Sequence, residues 1–329
     1  MRNPILNYLT HNQFLTTLII VALLWLGVQL SGILIIIFIS YIIMAALSPF
    51  SDFLTKRRFP RIVSVLIPYI LTIAVLVLLI FPLVPFLVSQ IQLFFSNFPQ
   101  YINQVAKTFN LHIDVSDIQN VLESDINAIG KNALSVTGKI FTGVFSFLTI
   151  LVISFYLMLE RHILKDQFII LFPKKSQQKV KDVIIQVETR LGLWLRGQLI
   201  LSFTIGFATW VGLTLLGLPF ALPLGLLAGM LEIVPTIGPI IASVPAIIVA
   251  LTISPQIAFV VAAFYIVIQM IENNILVPKI MEKAVGLNPI VIIIGVLIGS
   301  KFLGILGALL AVPFIAMVLI VIRSFKTSN

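Results

Sequence analysis

Long apolar runs alternate with short charged loops along this chain. Residues 14–30 and 32–49 read as two spanning helices joined by a tight turn at Ser31-Gly32, each near the roughly 17–25 residues that a bilayer core requires. Residues 62–88 form a third expected span, kinked at Pro68, Pro82 and Pro85. Spans are also predicted over 136–159, 197–216 and 256–277. The stretch 89–135 breaks the pattern. It carries Asp114, Asp117, Glu123 and Asp125, Ser116-Asp117-Ile118-Gln119 has the form of a capping box, and Ile118, Val121, Leu122, Asp125 and Ile129 follow helical spacing with one polar interruption. Short amphipathic helices outside the membrane are expected there. Phe94, Phe95, Phe98 and Tyr101 either lie at the interface or pack these helices. A second polar stretch, 161–196, places Val180, Ile184, Val187, Leu191 and Leu195 on one helical face that leads into the fifth span.

Two apolar runs are unsuited to plain spanning helices. Residues 219–252 contain Pro223, Pro235, Pro239 and Pro245, and one carboxylate, Glu232. Proline removes a backbone donor and glycine loosens a helix, so the chain is expected to break and turn near Pro235, Gly238 and Pro239. Broken backbone at membrane depth survives only where protein or a wet cavity surrounds it. Residues 288–322 repeat the plan, with a turn expected near 301–307, where Gly304 and Gly307 lie. An offset of 70 aligns Pro219 with Pro289, Gly225 with Gly295 and Gly229 with Gly299. Span-plus-hairpin then occurs twice, the second copy inverted, a recurring transporter plan. The competing reading makes both hairpins kinked full spans. The chain divides into helices 1–3 (1–88), an extracytoplasmic segment (89–135), helix 4 with a basic amphipathic helix (136–196), and a C-terminal region of two hairpins (197–329).

Composition narrows the class. Of 329 residues 60% are hydrophobic and 10% charged, with a mean hydropathy of +1.15. A soluble domain is about half apolar and a quarter charged, so the fold class is an all-α polytopic membrane protein with about six full spans and two helical hairpins. The net charge of +9 sits in loops: four Lys/Arg in 51–61 and eight in 161–196, against two in 89–135. The positive-inside rule places the basic loops and both termini in the cytoplasm, with the basic side chains on anionic lipid rather than nucleic acid. The apolar run 14–30 continues into 32–50 without a small-residue cleavage site, so the first helix is expected to be retained. There are no cysteines, and His11, His112 and His162 lie far apart. No phosphate loop or nucleophile elbow occurs. No metal, cofactor, enzymatic activity or ATP-driven step is expected.

The candidate chemistry rests on intramembrane ionisable groups, which cost about 2.5–3.5 kcal/mol at the centre of a span. Glu232 lies inside the first hairpin, Glu272 near the cytoplasmic end of the sixth span, and Lys301 near the second hairpin's tip. The functional reading has Glu232 and Glu272 binding a proton, a cation or a polar solute. The structural alternative pairs Glu272 with Lys279 or Lys283 and Glu232 with amides freed at the break. Glu232 and Lys301 approach each other if the hairpin tips meet. Asn273 and Asn274 either cap a helix end or hydrogen-bond a hydroxylated solute.

The run 225–239, GLLAGMLEIVPTIGP, resembles the signature of the autoinducer-2 exporter family, also called the PerM permease family. So do ENNILVPK at 272–279, LNPI at 287–290 and GILGALLAVP at 304–313. The resemblance covers nearly the whole chain. It implies secondary transport by a homo-oligomer, with a pentamer as the expected form, in the bacterial inner membrane. Some members are associated with autoinducer-2 export and others with sodium/proton antiport. Glu232 and Glu272 are the matching positions for an ion or solute role. The expected function is export of a small polar solute, with cation/proton antiport as the alternative and a non-transporting scaffold as a third reading.

Overall fold

A computed structural model describes residues 29–75, 133–234, 237–281 and 288–326, with isolated positions at 17–18, 21, 25–27, 77–78, 100, 103 and 107. Most of the first expected span, the second half of the third and nearly all of the 89–135 segment lie outside the described residues. Among the described residues the chain is helical, without strands. In chain order the helices are α1 (Ser31–Lys56), α2 (Arg61–Val75), α3 (Ala133–Leu159), α4 (Arg161–Ile170), α5 (Lys174–Leu215), α6 (Ala221–Leu231), α7 (Ile237–Ile253), α8 (Pro255–Ile271) and α9 (Pro289–Lys326). A π-helical turn, Glu272–Leu276, and a short helix, Val277–Met281, extend α8.

By length and composition, four described helical runs suffice to cross a membrane: α1, α5, Pro255–Met281 and Ile290–Ser324. A fifth arises if α3 and α4, bent by 71° against each other, are joined. The run Ile290–Ser324 is not straight. Gly304 has φ 61° and ψ −141°, outside the helical region, and the chain doubles back there. The two arms of α9 then pack with bare backbones together. A Cβ on Gly299 would stand 2.3 Å from the Gly307 carbonyl oxygen, and one on Gly307 would stand 1.9 Å from that of Gly299. Eight residues along a straight helix span about 12 Å, so only a hairpin brings these two together. The first arm of the first hairpin is short. At 1.5 Å per residue the 11 residues of α6 cover about 16 Å, half of a hydrocarbon core of about 30 Å.

The 42-residue α5 is the spine. The sequence suggests two elements here, an amphipathic helix and a span beginning at Gly197. The structure joins them, because the amphipathic stripe and the apolar run share the helical period and Gly197 alone does not stop a helix. The first half of α5 packs Val187, Leu191 and Trp194 against Ile42 and Ala45 of α1 and Leu310 of α9. Its end carries Leu213 into a second core with Leu224, Ala246, Val249 and Val261, from α6, α7 and α8. A third core joins α1, α2 and α3 through Met44, Val65, Tyr69 and Leu151, with the Tyr69 hydroxyl 2.6 Å from Ser154 Oγ.

α1 runs past the expected end at Pro49 to Lys56. Pro49 cannot donate to the carbonyl of Ala45. That carbonyl instead accepts from Ser48 Oγ at 3.0 Å and from Arg196 Nη1 at 3.5 Å, while the same Arg196 nitrogen donates to Ala46 at 2.8 Å. The exposed backbone is thereby satisfied and α1 is tied to α5, as proline in a spanning helix requires.

Candidate functional site

The first hairpin breaks where its sequence is richest in turn formers. α6 ends at Leu231, residues 232–234 turn, and α7 begins at Ile237. Pro235 lies outside the described residues. Gly238 is there because of size: a Cβ would stand 1.9 Å from the Leu231 carbonyl oxygen. Its own N–H donates to the Val234 carbonyl at 3.0 Å, and Pro239 beside it is buried. Val234 packs against Val296, Ala308 and Ala311, so the break of the first hairpin meets the flank of the second. The carbonyl of Glu232, freed by the break, accepts from Gln198 Nε2 of α5 at 2.6 Å.

Glu232 and Glu272 come together here. Their side chains are 1% and 2% exposed, and their carboxyl groups are in hydrogen-bonding contact. Glu272 opens the π-helical turn, whose closing bond runs from the Val277 N–H to the Glu272 carbonyl. Such single π turns occur often at functional sites. Gln269, one turn earlier, lies beside the Glu272 carboxyl. Each carboxyl keeps its second oxygen, Oε2, buried and without a partner.

Neither Lys301 nor Lys279 pairs with these carboxyl groups. The neighbour of Glu232 is Glu272 rather than Lys301, whose side chain is exposed. Glu272 points inward to Glu232, while Lys279 is exposed and Lys283 lies outside the described residues. Asn273 and Asn274 are also exposed, on the side away from the pair. Asn274 Nδ2 donates to the Met270 carbonyl at 2.8 Å, and Asn273 Oδ1 accepts from Gln269 Nε2 at 3.4 Å. Their place is on the π turn itself. Gly304 and Gly307 shape the second hairpin at its turn and arm contact.

Two further buried polar groups, Gln198 and Glu188, carry little signal in the sequence. Gln198, 2% exposed, is the residue that anchors the break, and its only sequence signal is a lone amide one step inside an apolar run. Glu188, 3% exposed, contacts both Arg161 and Lys165, and Arg161 also reaches Asp52 at 3.2 Å. This ion cluster ties the start of α4 to α5 and to the end of α1. An apolar cavity of about 380 Å³ lies beside it, lined by Tyr41, Met44, Phe168 and Val187 among others.

Among the described residues no cluster of three or more His, Cys, Asp or Glu forms a metal site. A carboxyl pair with two unpartnered oxygens, set between a broken helix and a π turn, is instead equipped to hold and release a proton, a cation or a hydroxyl-bearing solute.

Comparison with known proteins agrees with the membrane architecture. A family profile described as AI-2E family transporter matches residues 14–327. Two Bacillus subtilis proteins named for an inferred role in transport are similar. YueF is 26% identical over 80% of this chain and 77% of its own length, and YrrI is 28% identical over 89% and 85%. PerM of Escherichia coli K12, an inferred permease, is 40% identical over 134 residues, 40% of this chain and 38% of PerM.

Proposed function

The chain belongs to the AI-2E transporter family, and from that premise we propose that this membrane transporter exports a small polar solute by secondary transport, with the Glu232–Glu272 pair at its centre. The observation that carries the reading is the buried contact between these two carboxyl groups. A carboxylate only accepts hydrogen bonds, so a bond between two carboxyl groups requires a shared proton. The pair's free Oε2 atoms face the interior and suit the hydroxyls of a solute such as autoinducer-2, an oxygen-rich furanone. The lysines and arginines of 51–61 and 161–196 fit a topology with cytoplasmic termini in the bacterial inner membrane, where the broad exposed apolar faces meet lipid or other copies of the chain in a homo-oligomer, as a pentamer.

The same pair supports a second reading, in which Na⁺ displaces the shared proton and the protein is a cation/proton antiporter. Proteoliposomes carrying the wild-type chain and Glu232→Gln separate the two. Movement of labelled autoinducer-2 and sodium-driven proton movement are measured side by side. Under the export reading solute movement falls by at least about tenfold in the variant, the scale of losing a group that binds in the course of transport. Under the antiport reading sodium-driven proton movement disappears instead. Both activities at wild-type level in Glu232→Gln would remove the carboxyl pair from transport.

A further inference from the structure

Ser and Thr on spanning helices ordinarily give their hydroxyl to the carbonyl one turn back. α5 follows that habit at three places. Thr189 donates to Ile185 at 2.8 Å, Thr204 to Ile200 at 2.7 Å and Thr214 to Trp210 at 2.7 Å. Ser202 and Thr209 do not. Both hydroxyls are buried without any partner, and Thr209 is 0% exposed. An unmade hydrogen bond in so dry a place is costly, and the helix offers a remedy that these two residues leave unused.

Their positions share a direction. Gln198, Ser202, Gly206 and Thr209 stand at i, i+4, i+8 and i+11, a single stripe about 16 Å long from Gln198 to Thr209. That stripe faces α6. A Cβ on Gly229 would meet the Ser202 carbonyl oxygen at 2.7 Å and the Gly206 Cα at 3.1 Å, and one on Gly225 would meet the Trp210 backbone at 2.8 Å. At its lower end Gln198 holds the carbonyl of Glu232. Four buried polar atoms without partners thus lie on or beside one seam: Glu272 Oε2, Glu232 Oε2, Ser202 Oγ and Thr209 Oγ1. Beyond Thr209 the stripe turns apolar at Leu213, inside the second core.

We infer that the α5–α6 seam is a second solute-binding stretch, in which the hydroxyls of Ser202 and Thr209 hydrogen-bond a small hydroxyl-bearing solute and its water as it moves to or from the carboxyl pair. This rests on the transport reading above and adds the route. The seam is shut in this structure, because the glycines let the two backbones close on each other. α6 is the element that opens it. At 11 residues it is short, and turns bound it at Phe220, with φ 62°, and at Glu232. Hydroxyls left free in the closed state find their partners in the open one.

The chain has no cysteine, so single thiols can be read without background. Ser202→Cys and Thr209→Cys are near-isosteric. They are compared in sealed proteoliposomes with Val261→Cys, in the dry core, and Phe203→Cys, on the outer face of α5, using 2-aminoethyl methanethiosulfonate. Only a thiolate reacts and a thiolate needs water, so the seam thiols should label at least about tenfold faster than both controls. Labelling at 202 and 209 no faster than at 261 overturns the inference and makes the two hydroxyls simple packing. The readout needs no transported solute, so it is independent of the carboxyl pair. Glu232→Gln transporting normally while 202 and 209 label fast would sink the role of the pair and leave the route standing. The reverse result would keep the pair and remove the seam.

Discussion

Glu188→Ala is expected to destabilise the folded protein by about 3 kcal/mol, since removing one partner of a buried ion pair leaves the others charged and uncompensated. Glu188 is almost fully buried, and both Arg161 and Lys165 close on its carboxylate. The cations keep about a fifth of their side-chain surface in contact with solvent, which places the cost at the lower end of the usual range. Glu188→Gln offers an acceptor without a charge and should recover little. Asp52→Asn is the control. Asp52 is half exposed, and its contact with Arg161 is of the surface kind worth under about 1 kcal/mol. Thermal unfolding in detergent would show the lowered midpoint for Glu188→Ala and Glu188→Gln and a near-native one for Asp52→Asn. Equal midpoints for Glu188→Ala and wild type would mean that water enters and solvates the two cations. The cluster also explains the sharp bend before α4. A helix leaving α3 at 71° needs an anchor at its first turn, and Arg161 is that residue.

Glu188 was hidden in the sequence by its company. The stretch 161–196 holds eight Lys and Arg, and its weight in setting orientation masks the carboxylate that neutralises two of them. The breaks were easier to read. Pro239 and Gly238 announce one turn and Gly304 the other, because proline and glycine act on local backbone, and local effects survive in a linear string. Glu232 and Glu272 could each be picked out, since a charge in an apolar run is costly wherever it stands. Their meeting could not. It depends on a separation of 40 positions along the chain, on α8 returning beside the first hairpin, and on a π turn that rotates Glu272 inward while Asn273 and Asn274 face out. The same holds for Gln198, whose role arises only because a broken helix lays a free carbonyl against it. The continuity of α5 is hard to read for another reason. A change in hydropathy marks where a helix meets the membrane, not where the helix stops.

Gly307→Ala is expected to force the second hairpin apart. The added methyl would stand 1.9 Å from the Gly299 carbonyl oxygen and 2.6 Å from its carbon, and backbone cannot swing aside as a long side chain can. The arms must separate by more than an ångström or slide past each other. Overpacking of this kind costs about 1–3 kcal/mol, and contact with backbone sets it at the upper end. Gly304→Ala acts at the same hairpin by a different route. Nothing stands within 4 Å of the position, but φ 61° with ψ −141° lies in territory that side-chain-bearing residues avoid, at a cost of about 1–3 kcal/mol. Gly143→Ala, also with nothing within 4 Å and with no positive φ, is the neutral comparison. Combining Gly299→Ala with Gly307→Ala should cost less than the sum of the two, because the first methyl already opens the contact that the second would meet. Additive losses in thermal midpoint would show instead that the two glycines act separately, and that the arms do not move as rigid bodies. The consequence reaches the candidate site, since Val234 of the first hairpin rests on Val296, Ala308 and Ala311 of the second. Displacing the arm at 307 shifts that support one residue away, so Gly307→Ala should impair transport even in the fraction that remains folded, whereas Gly143→Ala should not. Transport per folded molecule, measured in proteoliposomes against both variants, decides whether the second hairpin is a passive wall or holds the carboxyl pair in place.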